Sequence, residues 1–426
     1  TLAALVERRS GGNPQFAVQL VGDWIQKDML IHGQGGFMLR PGLRPEFPAD
    51  MQAMWERRLA AAIPADFDTR SLQVAAELGM EVLEDEWLGA CEALGISAER
   101  QLVDRLIDAH LAREGASKQS WTFSHAMVRQ SLKRAAEFEG NRISHHRAVA
   151  EMLVRRGITG PRLGRHLYEA GDYEAAIPAL LDGAQQSFHS ARNVVGWELL
   201  SLRERALQQL SIPDTDLRWA RGWLLKERFL ARRKEFPAVM GLVDKVLEKT
   251  AKTPGAKLLR ATAWLRKGTI HRLMSEPDEA RFCLNKAMNG AVDDPAIMSQ
   301  TMEQMGTLEL AYGNPMLSAS FYEGAFDAAK ALGDEDRVFQ VRQNMAAVYR
   351  LQGNLDKARE HLVASLRYYQ KTGQKRAQSR SLNDLAELDR LKGDLAQAEA
   401  GYREALNLIE ALGDQRFYVA ALNLGI

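Results

Sequence analysis

The sequence predicts a mainly α-helical protein: a compact module of helices carrying a β-wing, followed by a right-handed solenoid of helical hairpins that repeat every 40 residues or so. Three observations predict it. Glycine followed by Asn or Asp recurs at Gly313-Asn314, Gly353-Asn354 and Gly393-Asp394, and a second series at Gly333-Asp334, Gly373-Gln374 and Gly413-Asp414 falls midway. Small residues keep fixed distances from those glycines. Before residue 160 the period vanishes, and helical patterns flank a Gly/Ser turn between short polar and aromatic runs at 113–125.

From the N-terminus, Asn13-Pro14 opens a helix over about 14–30, since Asn caps a helix and Pro suits its first turn. Punctuating residues crowd 33–48 (GQGGFMLRPGLRPEFP), a turn-rich segment with room for a β-hairpin, before a helix at 49–62. Helical patterns follow near 67–79, 85–94 and 98–112, then the turn REGASKQSWTFSH, then helices at about 125–137 and 141–156. Three helices and a two-stranded wing are the pattern of a winged helix. It occupies 49–140, after an N-terminal region at 1–48 and before a linking helix within 141–164.

The array fills 165–426. Each turn glycine sits where a helix must stop, because only Gly adopts the left-handed C-terminal cap cheaply. Small residues lie five positions after the first-series turn (Ser318, Ala358, Ala398) and seven further on (Ala325, Ser365, Ala405). Between them stands a large residue, Tyr322, Leu362 or Tyr402, and seven before the turn the residue is small again: Gly306, Ala346, Ala386. Such spacing lets two antiparallel helices approach closely, the large side chain filling the groove beside them. More degenerate copies are Gly268 with Ala280, Leu284 and Ala287, the turn Lys234-Glu235, and GDYEAA at 171–176.

The turns GNLDKA at 353–358 and GDLAQA at 393–398 resemble the core of the tetratricopeptide repeat. The longer period is similar to that of kinesin light chains and the maltose-regulon activator; about six extra residues per repeat add nearly two helical turns. The resemblance implies a concave groove, lined by the first helix of each pair, that takes up a protein or peptide. Carrying the family's groove positions over gives Gln340, Gln343, Arg350, Arg380, Asn383 and Arg390. Arginines and amides converging there suit an acidic or carboxylate-bearing segment; a merely solvated face is the other reading.

Four blocks in order, GGNPQFAVQLVGDWIQKDML at 11–30, MWERRLAAAIP at 54–64, LQVAAELG at 72–79 and WTFSHAMVRQSLKR at 121–134, resemble the bacterial STAND class of AAA-like signalling ATPases. Members join a nucleotide domain, a winged helix and a tetratricopeptide array. The resemblance implies that 1–48 is the end of the nucleotide-domain region and that the nucleotide domain precedes the first block. No GxxxxGK[ST] phosphate loop occurs in this sequence. ATP or ADP with Mg is thus implied for the parent, and no cofactor for this chain. By resemblance Asn13 and Pro14 lie by the adenine, and His125 matches the winged-helix histidine that senses the ADP phosphate. Ser124 and Ala126 replace that motif's Met and Asp. The alternatives are plain: Asn13 and Pro14 start a helix, and His125 packs the wing. The effector in such families is a Ser/Thr kinase, a nucleotidyl cyclase, a protease-like domain or a DNA-binding domain.

Composition bounds the rest. Lys plus Arg number 56 against 55 for Asp plus Glu, so no bulk field favours nucleic acid or an anionic membrane. Arg100, Arg105 and Arg113 near the third helix are balanced by Glu99, Asp104, Asp108 and Glu114, which disfavours major-groove binding. Cys91 and Cys283 stand 192 positions apart without a CxxC partner, excluding a disulfide scaffold and suiting a reducing, cytoplasmic setting. Adjacent His145 and His146 point about 100° apart on a helix and chelate one ion poorly. Trp197, Trp219, Trp223 and Trp264 read as core filling. No catalytic constellation appears, so the chain reads as a non-enzymatic sensor arm relaying ligand binding to a nucleotide switch. The rival reading is a constitutive scaffold. Both ends look cut.

Overall fold

The computed structural model describes residues 3, 6–7, 14–26, 29–33, 36–40, 51–64, 66–117 and 119–410. They fall into two compact units, Thr1–Ser211 and Ile212–Ile426.

In the first unit, helix α1 (Pro14–Gln26) buries Leu20 and Trp24 beside Leu30. Leu30 begins β1 (Leu30–Gly33), which pairs antiparallel with β2 (Gly36–Leu39), Leu30 opposite Leu39. This hairpin starts earlier than the 33–48 reading, because the apolar residues before the glycines form its first strand; residues 41–50 lie outside the described ones.

Next come α2 (Met51–Ala62), α3 (Arg70–Leu78), β3 (Glu81–Leu83), α4 (Glu84–Leu94), α5 (Arg100–Asp108), β4 (Ala112–Glu114), β5 (Ser120–Phe123), α6 (Ala126–Phe138) and α7 (Arg142–Arg155). The sheet has the order β3-β5-β4 and is antiparallel throughout. Strands β4 and β5 flank the Gly/Ser turn where two short strands are expected. Strand β3 was not expected: with Val82 opposite Trp121 it spans only three residues, too few for alternation to register. Helix α5 stops short of residue 112 because His110 takes a left-handed conformation (φ 57°) and Leu111 N–H reaches back to Leu106 O. That is a glycine-type stop made without glycine, so the sequence hides it. Trp121 anchors the core, edge-on to Trp87 at 5.9 Å and to Phe123 at 4.8 Å. The Trp87 indole N–H donates to Ser71 O at 2.6 Å.

Helices α8 (Pro161–Glu169), α9 (Tyr173–His189) and α10 (Asn193–Gln209) complete this unit. A buried histidine pair joins α7 to α8: His146 Nδ1 and His166 Nδ1 lie 2.9 Å apart, so one ring donates and the other accepts. Glu77 of α3 stands 3.4 Å from His146 Nε2 and pairs with Lys133 of α6 at 2.8 Å.

The second unit is a run of hairpins: α11 (Leu217–Arg232) with α12 (Phe236–Lys249), α13 (Lys257–Leu273) with α14 (Pro277–Gly290), α15 (Pro295–Ala311) with α16 (Pro315–Leu332), α17 (Glu335–Leu351) with α18 (Leu355–Thr372), and α19 (Lys375–Lys392) with α20 (Leu395–Glu410). Each helix packs on the next, and α11, α13, α15 and α17 also touch in sequence. It is a helical-repeat array. The periodic small residues are buried at every hairpin seam. A Cβ on Gly306 would meet the Tyr322 ring at 2.9 Å, closer than side chains tolerate. Seam serines add one recurring bond. Ser299 Oγ donates to Ala325 O and Ser379 Oγ to Ala405 O, both at 2.8 Å. In the hairpin between them the serine sits on the other helix, and Ser365 Oγ donates to Phe339 O at 3.0 Å.

The later turns use left-handed glycines, whereas Ala191, Lys234 and Ser275 adopt positive φ in earlier ones. The geometry survives there although its glycine signal is lost. Trp219 and Trp223 are buried, while Trp197 and Trp264 are half-buried, Trp264 edge-on to Phe282.

The histidine pair makes the first unit acid-sensitive. Burial pushes both rings down to about 3, helped at His146 by Lys133 and Arg142 and at His166 by His146 and Arg162. The folded state therefore keeps both rings neutral while the unfolded chain takes up protons below pH ~6.5. Stability is complete above that pH and falls as pH drops toward the folded values, by up to about 2.7 kcal/mol per pH unit for two sites. Urea unfolding of the chain between pH 7.5 and 5 should show this slope, and His146→Phe with His166→Phe should reduce it.

Candidate functional site

The first helices of the hairpins share one face, and polar side chains join them along it. Glu303 of α15, its side chain only 5% exposed, accepts from three residues of α17: Gln340 at 2.8 Å, Asn344 at 2.9 Å and Arg337 at 3.3 Å. Burial raises the Glu303 carboxyl, and Arg337 and the two amides oppose that rise. Asn344 then accepts from Arg380 of α19 at 2.8 Å, and Gln343 Nε2 donates to Ser381 at 3.1 Å. Three hairpins are cross-linked in this way.

Beside the ladder, between α17 and α19, lies a cleft of about 610 Å³. Gln343 and Arg350 stand on one wall; Arg380, Asn383, Asp384, Glu387 and Arg390 stand on the other. Ala346, Ala347, Leu362 and Leu388 supply its apolar surface. The structure thus brings together five of the six groove residues expected from sequence, while Gln340 is held by Glu303. It also adds carboxylates that the sequence argument left out. Asp384 and Glu387 follow Arg380 at helical spacing of four and seven, a signal that was present but unused.

Those carboxylates change the electrostatics. Arg390 is committed to Glu387, donating to its two oxygens at 2.8 and 2.7 Å, and Tyr402 OH donates to the same carboxylate at 2.8 Å. Arg390 and Tyr402 accordingly hold the Glu387 carboxyl below its ordinary range. Asp384 is less well matched, with Arg380 Nε at 4.0 Å and Asn383 Nδ2 at 3.4 Å. Partial removal from water within the cleft pushes its carboxyl up, opposed by Arg380, Asn383 and Arg350. Among the described residues the Arg350 side chain makes no ion pair or hydrogen bond, although its charge acts on Asp384 and Glu387 across the cleft. The lining carries three arginines against two carboxylates.

In the first unit, Asn13 lies outside the described residues, and Pro14 is the exposed first residue of α1. His125 caps α6: its Nδ1 accepts from Met127 N–H at 3.1 Å, and its ring stacks on Trp55 at 4.6 Å. The neutral ring therefore carries its proton on Nε2. Burial, then the charge of Arg58, lower its pKa. On α5, Arg100 is taken up by Glu84, Asp104 and Glu114. Arg105 lies over the Phe67 ring at 4.7 Å. That helix presents no basic stripe.

Residues 337–411 match the tetratricopeptide repeat family. The last two hairpins are tetratricopeptide repeats. No curated protein matches the sequence. Among solved structures, a signal transduction ATPase with numerous domains (STAND) with a tetratricopeptide repeat sensor, from Pyrococcus horikoshii, aligns with TM-score 0.61 at 12% identity, over 87% of this chain and 57% of that one. A Rap protein complexed with competence and sporulation factor aligns with TM-score 0.47 at 14% identity, over 58% of this chain and 69% of that one. BtubC (BKLC) from P. vanneervenii gives 0.43 at 15% identity, over 56% and 92%. At 12% identity the likeness to the Pyrococcus protein is one of fold. Tetratricopeptide repeats imply protein–protein interaction and are generally non-enzymatic scaffolds. Among the described residues no helix is long and apolar enough to cross a membrane.

Glu303 ties the ladder together, so its removal should be costly. Glu303→Ala leaves a guanidinium and two amides without their buried acceptor and should lower array stability by about 3–5 kcal/mol. Urea denaturation should show this, with Glu303→Gln intermediate.

Proposed function

We propose that this chain is the regulatory and sensor arm of a STAND-type signalling ATPase of the bacterial cytoplasm. The array, a right-handed tetratricopeptide solenoid, takes up a protein or peptide ligand along the shared face of its first helices. The α3-to-β5 module, whose order helix–strand–helix–helix–strand–strand is that of a winged helix, relays occupancy to a nucleotide switch and an effector outside this chain. One observation carries the reading: a single alignment to the Pyrococcus STAND protein covers 87% of this chain, more than either compact unit supplies alone. This chain spans 57% of that protein's length, which leaves room in such an architecture for a further domain.

The residues at hand suit contacts at the rim of a nucleotide site. Pro14 offers a rigid, exposed apolar ring to an adenine, and Asn13, which precedes it in the sequence, is assigned to the same contact by resemblance. His125, neutral and held by its cap bond, is an imidazole, a side chain whose chemistry suits a phosphate oxygen. ATP or ADP with Mg, when bound to the upstream domain, supplies the charge that distinguishes the two arrangements. A ligand shifts such a balance only by binding one arrangement more tightly.

Two measurements test this. A random peptide display library selected on the chain should yield binders whose enrichment disappears in Ala347→Trp, which fills the cleft between α17 and α19. In the parent, with its upstream domain, ADP should bind and His125→Ala should weaken it by about tenfold, one hydrogen bond to a charged group. A parent without affinity for either nucleotide supports the constitutive scaffold instead.

A further inference from the structure

The cleft between α17 and α19 has two poles that its own side chains leave open. Glu387, Arg390 and Tyr402 satisfy one another, and Arg380 is anchored on Asn344. Asp384 is the negative pole: its contacts, Asn383 at 3.4 Å and Arg380 at 4.0 Å, are both long. Arg350, on the opposite helix, is the positive pole, with no ion pair among the described residues. Between them Ala346 and Ala347 keep the wall low, and Leu362 and Leu388 give it an apolar base.

We propose that this cleft binds a peptide carrying a basic side chain and a carboxylate next to each other, the basic group on Asp384 and the carboxylate on Arg350. The proposal rests on the groove reading above and names the chemistry of its ligand. A purely acidic segment, which the arginines alone would suit, brings its second carboxylate against Asp384 and Glu387, and like charges placed together work against binding. A purely basic segment meets Arg350, Arg380 and Arg390 in the same way. A mixed pair satisfies both poles at once. Its guanidinium or ammonium supplies the short donor that Asp384 lacks, and its carboxylate meets the planar fork of Arg350. The aliphatic stem of the basic residue covers Ala346, Ala347 and Leu388. At about 610 Å³ the cleft is of a size that encloses a few residues, within the ~300–1,000 Å³ usual for ligand sites.

The test uses four fluorescently labelled octapeptides on one Ala/Ser framework, differing only in a central pair: Lys-Glu, Glu-Glu, Lys-Lys or Gln-Gln. Anisotropy titrations with the whole chain should show the Lys-Glu peptide binding at least about tenfold tighter than the other three. Asp384→Asn and Arg350→Gln should each reduce that affinity about tenfold while leaving the Gln-Gln peptide unchanged. Arg403→Gln, at an exposed side chain of α20 whose ion pair among the described residues is with Glu399, should change nothing. Exchanging the poles, Arg350→Glu with Asp384→Arg, should transfer the preference to a fifth peptide with a central Glu-Lys pair, which separates recognition from loss of folding. Tightest binding by Glu-Glu or Lys-Lys, or no binding by any of the four, overturns the proposal. Display-selected binders that require the cleft yet carry only acids also overturn it, and they leave the groove reading standing. Absence of any selectant sensitive to Ala347→Trp removes that reading as well.

Discussion

The array depends on one steric constraint: at each hairpin seam the first helix must carry almost no side chain where the second helix places its largest. Gly306 faces Tyr322 with no room for a Cβ. Ala346 and Ala386 repeat the arrangement against Leu362 and Tyr402, and all these seam residues are buried. Close packing of this kind sets the distance within a hairpin and therefore the angle at which the next one is added. The polar ladder of Glu303, Asn344 and Arg380 can form only because α15, α17 and α19 are delivered side by side, and the cleft is the space left beside that ladder.

The seam was legible in the sequence because it is periodic. Residues 300–410 show their turns, their small positions and their large ones every 40 positions. The earlier hairpins were harder to read for a physical reason. Lys234 and Ser275 take up the left-handed turn conformation themselves, at a cost that packing offsets, and the glycine marker is absent. The same disguise ended α5 at His110. Strand β3 escaped because three residues alternate only once and Glu84 begins a helix immediately after it.

At the cleft, sequence reasoning placed Gln343, Arg350, Arg380, Asn383 and Arg390 near one another, but it described their charge incompletely. Groove positions carried over from a family specify backbone sites and not the neighbours that neutralise them. Asp384 and Glu387 share the helical face of Arg380, and Glu303 reaches Arg337 from another repeat, 34 positions away. Only the fold brings that last contact together. The result is a balanced surface whose selectivity comes from two unsatisfied poles and not from net charge. His125 shows a related limit: the sequence marks a histidine after a short strand, while the structure shows it engaged as a helix cap stacked on Trp55.

A sensor arm and a passive scaffold share every seam and turn described above; they differ in whether the array and the nucleotide are coupled. Coupling between two binding sites is reciprocal, so it must appear in the affinity of the array for its own ligand. The most direct measurement is the affinity of a groove-binding peptide for the parent protein saturated with ADP and again with a non-hydrolysable ATP analogue. The account predicts affinities differing by about fivefold or more, with the difference collapsing in His125→Ala. Equal affinities in the two nucleotide states would contradict it.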